Sequence, residues 1–163
     1  MQSSFSKTFK IRPSFLFILF TIGFSISAFS QCDTSLWQHA YWNKRLIIHQ
    51  KCLTVTGTVK TIINEPDGDC HIRLKLDAGQ DSLMNAKNYS KQDSCFVLEI
   101  VCEHTPKQPG SAYACKGYVN KVQVPNIGQH IQATGVYVKD NGYPGYRHGW
   151  MEVHPVSAIK ELK

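Results

Sequence analysis

The chain has 163 residues, 18 of them Lys or Arg and 12 Asp or Glu, for a formal charge of +6. Lys7, Lys10 and Arg12 precede residue 31 and every acidic residue lies beyond it, so the body after residue 30 carries only +3. That charge is mild and no block of five or six like charges occurs, which excludes a polybasic nucleic-acid or membrane-surface tail.

Residues 1–30 read as a secretory signal peptide. Lys7, Lys10 and Arg12 are its basic region, Phe15 to Phe24 its apolar run, and Ala28-Phe29-Ser30 a small-residue cleavage site before Gln31. A membrane anchor is disfavoured because the run falls short of about 20 apolar residues. The expected location is therefore secreted or periplasmic, with no membrane span after signal removal.

The mature part has about 130 residues, one domain's worth. It holds all six cysteines, at 32, 52, 70, 95, 102 and 115, an even count suited to disulfides in an exported protein. No C-x-x-C occurs, which argues against a redox motif or a thiolate zinc site. Cys102 ends a predicted strand and Cys115 lies in the segment that folds back over it, so these two are expected to pair. The other four are assigned as Cys32 with Cys52 and Cys70 with Cys95. That pairing stays open, since six cysteines allow 15 arrangements.

Residues 31–51 are expected to be an irregular lead-in containing Trp37, Tyr41 and Trp42. The β-domain is placed at 52–163. "CLTVTGTVKTII", 52–63, alternates and is β-branched, the pattern of a strand. "NEPDGD", 64–69, is turn chemistry, and "CHIRLKLD", 70–77, alternates again, so the pair reads as a hairpin. Residues 78–93 are polar, with a short helix predicted over 81–86. Asn88-Tyr89-Ser90 matches an N-glycosylation pattern. Further strands are predicted at 94–104, 130–140 and 150–162. A long segment, 105–129, precedes the fourth strand, and a loop, 141–149, precedes the fifth. Gly57 and Gly135 interrupt the first and fourth strands. Five strands with internal glycines and a long third connection suit an all-β, OB-like Greek-key barrel. A β-sandwich, which wants about seven strands, is the runner-up.

"VTGTV…PDGDCHIRLKLD" at 55–77, "FVLEIVC" at 96–102, "YACKGY" at 113–118 and "VPNIGQHIQATGVYVKD…HGWMEVHP" at 124–155 resemble an uncharacterised family of secreted bacterial OB-fold-like proteins. The resemblance covers roughly residues 52–160. It rests on a D-G-D-x-H motif after the first strand and an H-G-W-x-E-x-H-P motif at the last. It implies the OB-like fold and no particular activity. One departure is the long "NGYPGYR" loop before His148.

In an OB-fold the first-to-second and fourth-to-fifth loops flank one cleft. Asp67, Asp69 and His71 lie at the first loop, and His148, Glu152 and His154 at the second. Residues two apart in a strand share a face, so Trp150, Glu152 and His154 are expected together, opposite Met151 and Val153. His71 is expected near them. Mixed carboxylate and imidazole ligation suits a divalent transition ion such as zinc. The default reading is structural, with Asp67-Gly68 as a turn, Asp69 as its cap and the histidines as hydrogen-bonded partners. No H-E-x-x-H is present.

These residues suit two functions of different class. The first is a secreted, non-catalytic OB-type binding module for an extracellular polyanion, saccharide or protein. Its surface would be Arg73, Lys75, Tyr137, Lys139, Tyr143, Tyr146, Arg147 and Trp150, the basic and aromatic set that a nucleic-acid platform also needs, although Tyr137 and Trp150 read first as core or barrel-rim residues. The second is a metal-dependent extracellular hydrolase such as a nuclease, with Asp67, Asp69 and Glu152 as ligands and Arg73 or Arg147 on the phosphoryl charge. No G-x-S-x-G supports serine hydrolysis.

Overall fold

Alternation decides which way each strand faces. Cys70, Ile72 and Leu74 are fully buried and join one apolar cluster, while Arg73 and Lys75, one position out of phase, point the other way. The computed structural model, which describes residues 32–118, 120–142, 145 and 149–163, extends this logic to five strands. They are β1 (Leu46–Asn64), β2 (Cys70–Leu76), β3 (Phe96–Ile100), β4 (His130–Asp140) and β5 (Met151–Glu161). One short helix, α1 (Ala86–Lys91), sits between β2 and β3. Residues 1–31, and with them the expected signal segment, lie outside the described residues, as do Tyr143, Tyr146, Arg147 and His148.

The five strands form a single sheet that closes on itself in the order β1-β2-β3-β5-β4. β3 and β5 run parallel, with Val97 opposite Glu152 and Leu98 opposite Val153; the other neighbours are antiparallel. One closed sheet replaces the two stacked sheets of a sandwich.

Gly57 and Gly135 are where strands cross most closely. A Cβ at Gly57 would overlap the Lys75 carbonyl oxygen, and one at Gly135 the Pro155 carbonyl oxygen. In β1 the register slips between Val59 and Thr61, a bulge that switches the inward positions from Val55 and Val59 to Ile62. The His154–Pro155 peptide is cis.

The interior is apolar. Val59, Ile72, Leu74, Phe96, Leu98, Ile131 and Val153 have no exposed surface. A second apolar cluster lies outside the sheet. There Val136 and Val138 of β4 meet Ala40, Leu46, Val101 and Trp37. The Cys102–Cys115 disulfide pins this layer, and His39 stacks on Tyr118 at 4.1 Å while its Nδ1 bonds the Ala114 carbonyl.

Several expectations change. The irregular lead-in ends at Arg45 rather than at residue 51, because Leu46–Ile48 pair with Val138–Asp140 of β4. It is built from 3-10 turns at Thr34–His39 and Asn43–Arg45. The helix predicted over 81–86 is a 3-10 turn at Asp81–Leu83, and the true helix begins at Ala86 behind a capping box of Asn85 and Asn88. The third strand is shorter than 94–104. Asp93, Ser94 and Cys102 have left-handed backbones that bracket it. Asn88, the first residue of the glycosylation pattern, is fully buried, and its amide bonds Met151 and the Cys95 carbonyl, so it offers no acceptor.

Two disulfides are present, Cys32–Cys52 and Cys102–Cys115. The expected Cys70–Cys95 bond is not. Both thiols are free and buried. Phe96, next to Cys95, pairs with Leu74, and Cys70 lies four residues along β2, opposite Ile100. That is about 13 Å at roughly 3.3 Å per residue, beyond the reach of a disulfide. Burial also pushes the Cys70 thiol up to about 12, so it is no nucleophile. Among the described residues no helix is long and apolar enough to cross a membrane.

Candidate functional site

The same alternation that sends Ile72, Leu98 and Val153 inward sends a polar row outward across three neighbouring strands. His71 pairs with Glu99 in the β2–β3 register, and Glu152 and His154 continue the row on β5. All four are buried even though they lie on the outer face. The segment after β3 clamps the 65–69 turn beside them. Cys102 N donates to Asp69 Oδ1 at 2.9 Å, His104 N to the Gly68 carbonyl, and Lys107 N and Gln108 N to the Pro66 carbonyl.

His71 is the centre of the first half. Its Nδ1 lies 2.7 Å from Glu99 Oε1 and 3.6 Å from Glu65 Oε1. Its Nε2 faces Gln92 Oε1 at 3.1 Å, and Arg73 Nε donates to that same oxygen at 2.9 Å. Ligand atoms of Glu65, His71 and Glu99 all fall within 4.8 Å of one another. Glu65 is the open edge, its side chain 40 % exposed, whereas Glu99 is almost fully buried and its Oε2 has no hydrogen-bond partner among the described residues.

The second half is built on β5. Trp150 Nε1 donates to Glu152 Oε2 at 2.7 Å, and His154 Nδ1 bonds Glu152 Oε1 at 3.0 Å. His154 Nε2 points towards Asp69 Oδ2 at 3.7 Å and has no hydrogen-bond partner among the described residues. The Trp150 ring stands edge-on to His71, centroids 6.3 Å apart, which joins the two halves. Met151 and Val153 point into the core, opposite Glu152 and His154.

Burial dominates the electrostatics. Desolvation raises Glu65 and pushes Glu99 well above the usual carboxylate range, the Glu65 and Glu152 charges adding to the effect on Glu99. Asp69 rises to about 6, mainly by burial and in part against the pull of His154. Burial works against a charged His154, but the Glu152 hydrogen bond and charge overcome it and hold the imidazole at about 9.

Of the expected ligand cluster, Asp69, His71, Glu152 and His154 come together. Asp67 is buried in the adjoining turn, where its carboxylate caps Asp69 N at 3.2 Å. Glu65 and Glu99 join the cluster unforeseen. The turn reading hid Glu65. Glu99 carried a signal, as the one charge in "FVLEIV", at the parity of Val97 and Val101.

Among the described residues, the expected basic and aromatic set does not gather on one surface. Arg73 and Lys75 lie on the outer face of β2, and Arg73 is held by Asp93 and Gln92. Tyr137 turns into the closed sheet against Phe96, and its hydroxyl donates to the Leu83 carbonyl at 2.8 Å. Lys139, half-buried, sits level with Met151 at the end of β4. Trp150 belongs to the polar cluster itself.

No family model matches the chain, and neither the curated proteins nor the solved structures contain a match.

Proposed function

We propose that this chain is an exported OB-type binding module whose ligand face takes a small cation. The strand order β1-β2-β3-β5-β4, closing back on β1 with β3 and β5 parallel, supports the OB-type Greek-key barrel. The outward face of β2 and β3, beside the 65–69 turn and the Gly149–Trp150 entry to β5, is then its ligand face. Both motifs of the resemblance contribute side chains to that face. Two disulfides and the basic–apolar–small pattern of residues 1–30 support export.

One observation carries the choice of ligand. The described face gathers the carboxylates of Glu65, Asp67, Asp69, Glu99 and Glu152, while its two guanidinium groups are already engaged, Arg45 with Asp140 and Arg73 with Asp93. A nucleic-acid or polyanion site needs the opposite balance, a basic groove with aromatic platforms. Because all of these carboxylates but Glu65 are buried, the ligand is small.

Isothermal titration of the full chain with zinc, calcium, spermidine, a single-stranded oligonucleotide and a sulfated oligosaccharide tests this reading. At least one cation should bind, and neither anion should. Binding of an anion with no cation bound would overturn it.

A further inference from the structure

We infer that Glu65, His71 and Glu99 form a binding site for one divalent transition-metal ion, with Gln92 as the residue that orients its histidine. The inference rests on the cation-binding reading of this face and names the cation.

Arg73 sets the hydrogen-bond directions. Its Nε carries a hydrogen and only donates, so the Gln92 atom 2.9 Å away is the carbonyl oxygen. His71 Nε2 faces that same oxygen at 3.1 Å, so this nitrogen must carry a hydrogen too. In the neutral ring the lone pair then lies on Nδ1. Nδ1 points at carboxylate oxygens on both sides, Glu99 Oε1 at 2.7 Å and Glu65 Oε1 at 3.6 Å. Lone pairs converge there, and a positive species has to sit between them.

A proton answers part of that need, on Nδ1 or on Glu99. It leaves the second oxygen of Glu99 buried without a hydrogen-bond partner among the described residues. A metal ion answers more of it, because it draws on both carboxylates and the imidazole at once. Tetrahedral ligation with bonds of roughly 2.0–2.1 Å places ligand atoms about 3.3 Å apart, and the two His71 separations bracket that spacing. One nitrogen and two carboxylates favour a transition ion over magnesium or calcium, which take oxygen ligands. An amide oxygen fixing the far nitrogen of a metal-binding histidine is the usual outer support of such a site. Glu65, half-exposed, gives the ion its way in.

The test uses the full chain with both disulfides formed, stripped with a chelator, equilibrated with zinc, desalted and analysed for metal. Cobalt supplies a second readout through its visible absorption. Near one zinc per chain is expected, retained against a hundredfold excess of magnesium or calcium. Glu65→Gln keeps the fold, its side chain being half-exposed, and should weaken zinc at least tenfold. Gln92→Met should weaken it ten- to hundredfold through the orientation of His71. His130→Ala, which removes an exposed partner of Asp77, is the control and should leave the stoichiometry unchanged. No retained zinc, or zinc retained undiminished in Glu65→Gln and His71→Ala, overturns the inference. Spermidine bound without zinc would sink the metal site and leave the cation-binding module standing. An anion bound with no cation would remove both.

Discussion

The inner face of β2, β3 and β5 and the polar row on their outer face are both buried, yet they are built from opposite chemistry. Inside, Ile72, Leu98 and Val153 meet other apolar side chains and every buried atom contributes to stability. Outside, one residue away on each strand, His71, Glu99, Glu152 and His154 are withdrawn from water with their charges only partly answered. Burying ions offsets most of what their attraction gains, so well-packed apolar residues would hold the sheet as well or better. The contrast teaches that the inner face makes the fold, and that the outer polar row is the place where binding and stability can be told apart by experiment.

The largest effect should come from damage to the inner face. Phe96→Ala removes a fully buried ring from the centre of the closed sheet and should cost about 3–5 kcal/mol in urea unfolding, whether or not zinc is present. A loss below 1 kcal/mol would mean that the interior is not the source of stability. Next comes the layer outside β4. Replacing Cys102 and Cys115 together by Ala opens a loop of separation 13 and should cost roughly 3 kcal/mol on the loop-entropy account.

The outer face should reveal itself through pH. His154 is held at about 9 against an ordinary 6.5 by Glu152 and Glu99, with burial and Arg45 opposing. A histidine held above its ordinary value stabilises the fold fully below 6.5 and loses that contribution as pH rises through about 9. Asp69, raised to about 6, loses its own contribution lower, between the ordinary 3.8 and 6, and Glu99, held well above its ordinary value by burial and by the Glu65 and Glu152 charges, adds to the fall in the same direction. The thermal midpoint should fall between pH 6.5 and 9, and His154→Gln should flatten that fall. The smallest effect belongs to the rim. Asp93 is 78 % exposed, so Asp93→Asn should change stability by less than about 1 kcal/mol although it breaks the ion pair to Arg73.

Much of the inner face was legible. The strand over 130–140 has the bounds its alternation predicts, and the 52–77 hairpin and the Cys102–Cys115 bond are as expected. Parity also held a warning that the cysteine count overrode. Cys70 alternates with Ile72 and Leu74, which sends it inward and away from Cys95. Leu46–Lys51 belongs to β1 because the end of β4 pairs with its first residues, a tertiary cause that no local pattern shows.

The outer face was only half legible. Spacing on a single strand brought Glu152 and His154 together, and the loop order brought Asp69 near them. Glu99 enters through the β2–β3 register, which sets it opposite His71, and register is a property of the fold. Tyr137 could be read as a surface platform or as a core residue, because an aromatic residue in an alternating strand looks the same from either side. Its ring packs on Phe96 inside.

Whether the outer polar row serves binding or stability is decided most directly by one double variant. His71 is replaced with Leu and Glu99 with Met together, and the urea midpoint is measured in chelator and again in zinc. If the row serves binding, the metal-free double variant is as stable as the parent or up to about 4 kcal/mol more so. Zinc at a hundred times its dissociation constant then stabilises the parent by about 2.7 kcal/mol and leaves the variant unmoved. A metal-free variant weakened by about 3 kcal/mol or more, beside a parent indifferent to zinc, would contradict the binding role.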